Sequence, residues 1–242
     1  MQLMQPNVPG GMLGTIHKSE GIMGSMIEFS RPDGRKTKGY LASAGEGKPG
    51  IIVIQEWWGL NKQICGIADR FAHAGISALA PDLFEGKVTS AEDEASHMMN
   101  NLDFADATNQ NIRGAVQHMK KSCPKVAVTG FCMGGALVIA AAVHVPELDA
   151  AVCFYGIPPK DFADPAKIHV PFQGHFATHD SWCNPAAVSA LEADLKKSGV
   201  VYEIYRYEAQ HAFFNESRPE VHNAEASKKA WGRTLQFLAK HL

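Results

Sequence analysis

Between Val126 and Ala136 the chain reads Val-Ala-Val-Thr-Gly-Phe-Cys-Met-Gly-Gly-Ala, and no other stretch restricts the fold so tightly. A β-prone run stops at Gly130, Cys132 follows two residues later, and two glycines lead into a small-residue run through Ala142. The pattern G-x-C-x-G-G predicts strand, sharp turn and helix, with Cys132 on the turn. Such a turn holds the central residue in a strained backbone conformation, and flanking side chains would strike the adjacent strand and helix. The sulfur then stands clear of a sheet and close to a helix N-terminus, where backbone dipoles favour a thiolate. Most free cysteines are small buried hydrophobes, so the pattern needs support from the rest of the chain.

Taken in order, the chain alternates strands and helices. Ser25–Ser30 and Thr37–Ser43 flank Pro32-Asp33-Gly34 and predict an antiparallel pair at one sheet edge. The unbroken run Ile51–Ile54 suits a strand covered on both faces. Asn61 caps a helix carrying Ile64, Ile67, Ala68 and Phe71 at helical spacing, and Gly75 ends it. A strand over 76–80 is followed by a polar acidic stretch containing His97, then by a helix over about 103–121. After the Cys132 turn and its helix to Val143, strands are predicted over 149–155, 170–176 and 201–207. Helices follow Asn184-Pro185 and span about 221–240, the last with a stripe of Ala224, Trp231, Leu235 and Leu238. This βαβ rhythm predicts an α/β fold, a mostly parallel twisted sheet with helices on both faces. Residues 1–24 read as a flexible N-terminal extension and 25–242 as a single domain.

Composition removes several function classes. A formal net charge of −2 gives no broad pull toward nucleic acid or anionic membrane. No apolar run is long enough to span a bilayer. The five cysteines form no C-x-x-C pair, and the first 24 residues lack a secretory apolar core, which together suit reduced thiols in the cytoplasm. No metal-ligand spacing, phosphate loop or dinucleotide motif occurs, so neither metal nor cofactor is expected.

Four features are predicted at carboxyl ends of strands, where ligands bind in such sheets: Glu56 with Trp57 and Trp58, Cys132, Asp180 and His211. A thiol attacking a carbonyl must give up its proton, and histidine suits that task near neutrality. His211 is the chosen base, with His175 and His179 as competitors flanking the acid. Asp180 fixes the imidazole tautomer, unless it is only a turn-former; Asp161 and Asp164 are weaker acids. Backbone N–H groups of Trp57 and Met133 are placed for a developing oxyanion. Trp57 and Trp58 also suit the wall of an apolar substrate site.

The sequence resembles the dienelactone hydrolases (carboxymethylenebutenolidases), a cysteine-using branch of the α/β-hydrolases. The matching pieces are Gln55–Asn61, Ala80–Phe84, Gly130–Gly135, Gly174–Phe176 and Gln210–Asn215, in order. The resemblance implies an α/β-hydrolase fold and a catalytic triad of Cys132, Asp180 and His211 around a nucleophile elbow. It implies that Glu56 hydrogen-bonds the resting thiol until substrate displaces it, where a plain structural ion pair is the alternative. It further implies an esterase or lactonase that works through a thioester, on a small-molecule ester or lactone; the assembly is left open as a monomer or small homo-oligomer. One departure concerns the substrate carboxylate. Well-known members carry arginines where this chain has Glu85-Gly86-Lys87 and Asn215. Lys87 and Arg218 are the nearby cations and, with Phe213, complete the expected substrate contacts. The alternatives are a general carboxylesterase of the same fold and, further off, a non-catalytic small-molecule binder.

Overall fold

In the computed structural model, which describes residues 23–242, all eight strands join one sheet in the order β1-β2-β4-β3-β5-β6-β7-β8. β1 (Ser25–Ser30) and β2 (Lys36–Ala42) form the expected hairpin at one edge, and β2 runs antiparallel to β4 (Ser77–Pro81). From β4 onward every pairing is parallel: β3 (Gly50–Ile54), β5 (Val126–Phe131), β6 (Ala150–Phe154), β7 (Phe172–His179) and β8 (Tyr202–Gln210). The expectation for the N-terminal extension lies, up to residue 22, outside the described residues.

Apolar runs build two cores because successive strand residues point to opposite faces. Ile51 and Val53 join one core, against Ile64, Ile67 and Phe71 of α1 (Lys62–His73) and Phe237 and Leu238 of α7 (Ala224–His241). Ile52 and Ile54 join the other, against α4 (Arg113–Met119), the apolar α5 (Met133–His144) and α6 (Pro185–Ser198). Side-chain oxygens of Asn61, Asn184 and Asn223 accept the N3 amide hydrogens that open α1, α6 and α7.

Four local expectations change. The acidic stretch is helical, α2 (Glu92–Asn100), with Glu92, Asp93 and Glu94 in its first turn beside the positive helix end; it buries only Ala95 and Met98, too little for a visible stripe. The helix over 103–121 is composite, a turn of α3 (Phe104–Asp106) and a π-helical segment Ala107–Ile112 leading into α4. β7 and β8 run past their predicted ends, with a register irregularity between Ala177 and His179. In α7 the buried stripe is Ala226, Ala230, Thr234, Phe237 and Leu238, while Trp231 and Leu235 sit half-buried at its margin. Arg70 covers Trp231 at 4.3 Å and Thr234 hydrogen-bonds His175 inside the core, so a polar residue fills a place that hydropathy gave to apolar ones.

Candidate active site

Three parallel strands end immediately before a chemistry-bearing residue: β5 before Cys132, β7 before Asp180 and β8 before His211. β3 ends two residues before Glu56. Local strain accumulates there. Cys132, Tyr155 and Ala212 all have positive φ (56°, 39° and 62°) without being glycine, the kind of cost that persists where surrounding structure enforces it. The glycines permit the turn. A Cβ on Gly130 would lie 2.4 Å from the Gly134 carbonyl oxygen, and one on Gly134 would lie 2.5 Å from those of Ile54 and Gln55.

His211 Nδ1 donates to Asp180 Oδ2 at 2.7 Å. A carboxylate only accepts, so Nδ1 carries a proton and Nε2 is the ring nitrogen that the acid does not engage. Asp180 Oδ1 accepts from the backbone N–H groups of Trp182 (2.7 Å) and Cys183 (3.0 Å). Burial pushes the Asp180 carboxyl up, but His211 and the two amides outweigh it and hold the group below its ordinary value. Its side chain is 0% exposed whereas that of His211 is 23% exposed, so the acid is sealed behind a ring that reaches solvent.

The thiol is held protonated. Burial is the largest cause, the Glu56 charge is the next, and the Met133 N–H at the sulfur pulls the other way. Glu56 is 2% exposed. The hydrogen bonds of its carboxylate come from elsewhere than the expected thiol: Asn215 Nδ2 donates to Oε2 at 2.8 Å and the Tyr155 hydroxyl to Oε1 at 3.2 Å. Burial raises the Glu56 pKa, and those two donors together with His211 and Arg218 restrain the rise.

Two cavities meet at Cys132 and His211. The larger, about 380 Å³, is walled by Met99, Phe104, Ala136, Ile157, Pro158 and Phe162. The smaller, about 220 Å³, holds Glu56, Trp57, Trp58, Glu92 and Arg218. Trp182 borders both and stacks on His211 with ring centroids 5.8 Å apart. Of the two expected oxyanion donors, Met133 borders the larger cavity and Trp57 the smaller.

Several sequence-predicted residues are placed elsewhere. Lys87 lines a separate cleft of about 1110 Å³ between β2 and α2, because Asp82 accepts from Phe84 and Gly86 N–H groups and closes a turn that carries Lys87 away. Phe213 is fully buried beneath the site, edge-on to Tyr155 and tilted against Tyr207, and lines neither cavity. Arg218 does reach the smaller cavity, 5.6 Å over Trp58, with Nε donating to Glu220 at 2.7 Å. Of the competing histidines, His175 is buried in the β7–α7 core, and the exposed His179 pairs with Glu208. Tyr155, Trp182 and Asn215 were not foreseen as site residues. Position supplies the only signal, since Trp182 and Asn215 stand just past Asp180 and His211 and Tyr155 just past a parallel strand. Among the described residues no group of three or more His, Cys, Asp or Glu could hold a metal ion, and no helix is long and apolar enough to cross a membrane.

A protein-family model for the dienelactone hydrolase family matches residues 37–242. The chain belongs to the dienelactone hydrolase family. Relatives include "Protein usf" of Aquifex pyrophilus, 38% identical over 234 residues, covering 91% of this chain and 100% of the relative. An Aquifex aeolicus protein provisionally named a carboxymethylenebutenolidase is 31% identical, with coverage of 91% and 100%. Among solved structures, a dienelactone hydrolase-like promiscuous phosphotriesterase from metagenomic libraries superposes with a TM-score of 0.76 at 21% identity, covering 90% of this chain and 99% of that one. This is the α/β-hydrolase fold, and the family makes the chain a carboxylic ester hydrolase.

Proposed function

We propose that this family member cleaves a carboxylic ester or lactone with Cys132 as nucleophile and a thioester intermediate. The observation that carries the reading is the meeting of Cys132 and His211 at two cavities, with His211 Nδ1 held by Asp180 at 2.7 Å. His211 Nε2 takes the thiol proton as sulfur attacks the carbonyl carbon, and a carbon–sulfur bond forms while the carbonyl electrons move onto oxygen. The Met133 and Trp57 N–H groups stabilise that oxyanion. Collapse breaks the carbon–oxygen bond, and the leaving oxygen receives the proton from His211. Water then gives a proton to the same nitrogen, attacks the thioester and releases the acid, returning the proton to sulfur. No metal or cofactor enters these steps.

Glu56 acts through its charge in this scheme. It adds to burial in keeping the resting thiol neutral, which limits oxidation of the sulfur in the reducing cytoplasm proposed for this chain. Intact-mass spectrometry after mixing with aryl esters tests the reading. A mass increase equal to the acyl group, absent in Cys132→Ala, is expected, together with loss of turnover. Full turnover by Cys132→Ala refutes it.

A further inference from the structure

The larger cavity and the fate of each nearby cation bear on what the ester carries, an inference that rests on the hydrolase reading above. Away from Cys132, His211 and the Trp182–Cys183 loop, the wall of that cavity is mostly apolar side chain from α2, α3, α5 and the loop after β6, with Phe104 and Phe162 meeting edge to face at 6.2 Å. Its volume of about 380 Å³ lies within the roughly 300–1,000 Å³ of small-molecule sites. Among the described residues neither lysine nor arginine lines it. A carboxylate entering such a space would lose its hydration with no cation to replace it.

The smaller cavity offers no better reception. Arg218 is engaged with Glu220, and Glu56 and Glu92 border the same space, so among the described residues two acids border it against one arginine. Asn215 donates to Glu56 instead of facing outward, and Lys87 belongs to another cleft. We propose that the substrates are uncharged esters or lactones whose apolar part occupies the Met99–Phe104–Ile157–Phe162 cavity, and that this chain discriminates against esters bearing a carboxylate.

Paired substrates of equal length test this by pH-stat. Methyl hexanoate and monomethyl adipate differ at the acyl end, and hexyl acetate and the acetate ester of 6-hydroxyhexanoate differ at the alcohol end. In at least one pair kcat/KM should favour the neutral ester by about 100-fold, and that pair shows which side of the carbonyl lies in the cavity. Ala136→Leu, which fills the cavity, should lower the rate ratio of the six-carbon ester to its two-carbon counterpart about 10-fold or more. Equal or better turnover of the acidic partner in both pairs overturns the inference, and so does a length ratio unmoved by Ala136→Leu. Adduct mass separates the failures. Acylation of Cys132 by acidic esters alone sinks this inference and leaves the hydrolase reading standing, whereas acylation by none of the four esters sinks both.

Discussion

Two polar clusters lie along β7 and β8, each centred on a histidine, and they differ in nearly every respect. His175 is 0% exposed, and its ring atoms meet the Tyr207 hydroxyl at 2.8 Å, Gln173 Oε1 at 2.9 Å and the Thr234 hydroxyl at 3.1 Å. Burial, helped by the Arg233 charge, pushes its pKa down to about 3. His211 has one nitrogen fixed by a sealed carboxylate, and its ring lines two cavities that Cys132 also lines. The first cluster commits both ring nitrogens to buried partners and serves packing. The second leaves one nitrogen uncommitted, at residues whose backbone is strained, and that incompleteness is what a reaction needs.

The contrast is broken most severely at Asp180. Asp180→Asn presents an amide to Nδ1 and favours the wrong tautomer, so kcat should fall about 10⁴-fold, with little change in melting temperature, measured by ester turnover and calorimetry. His175→Gln should do the reverse. It removes a ring from a closed network, costing about 2–4 kcal/mol of stability while kcat stays within about threefold of the parent. If His175→Gln abolished turnover in a folded protein, the two clusters would be one machine.

Acid titration sharpens the same contrast. The folded His175 ring stays neutral to about pH 3, whereas the unfolded chain protonates it near 6.5. Its contribution to stability is therefore complete above pH 6.5 and is lost as pH falls toward 3, at up to about 1.4 kcal/mol per unit. Chemical denaturation at pH 7, 6 and 5 should show that slope in the parent and a flatter one in His175→Gln.

The two clusters were unequally legible in the sequence. Cys132, Asp180 and His211 are short-range events, each the first residue after a strand that hydropathy and β-branching reveal, so chain order alone brought them together. The core of parallel strands showed for the same reason. What stayed hidden depends on three-dimensional closure. The Asn215 side chain turns inward to Glu56 across 159 residues of sequence, the wall of the larger cavity is drawn from segments far apart in the chain, and α2 buries two residues only. Lys87 misled because proximity along the chain says nothing of a turn capped by Asp82. Phe213 misled because a neighbour of the histidine along the chain can turn into the core, against Tyr155 and Tyr207, and line neither cavity.

The smallest effects are expected where Glu56 bears on the thiol. Burial is the main reason the sulfur stays protonated, and the Glu56 charge adds to it. Glu56→Gln removes the charge and keeps the contacts, since the amide oxygen can accept from Asn215 while its NH₂ group donates to the Tyr155 hydroxyl. The thiol pKa should then drop by up to about one unit, and iodoacetamide should label Cys132 at pH 8 about 3- to 10-fold faster. Asn215→Leu acts in the same direction more weakly. With one donor lost, the buried carboxylate is protonated over a wider pH range, so the sulfur feels less negative charge and labelling rises about twofold. The order of the two variants carries the argument. If Asn215→Leu exceeded Glu56→Gln, the amide would be acting on the sulfur by some route other than Glu56. If neither variant changed the rate, burial alone would hold the thiol neutral, and Glu56 would belong with His175 among the groups that serve packing.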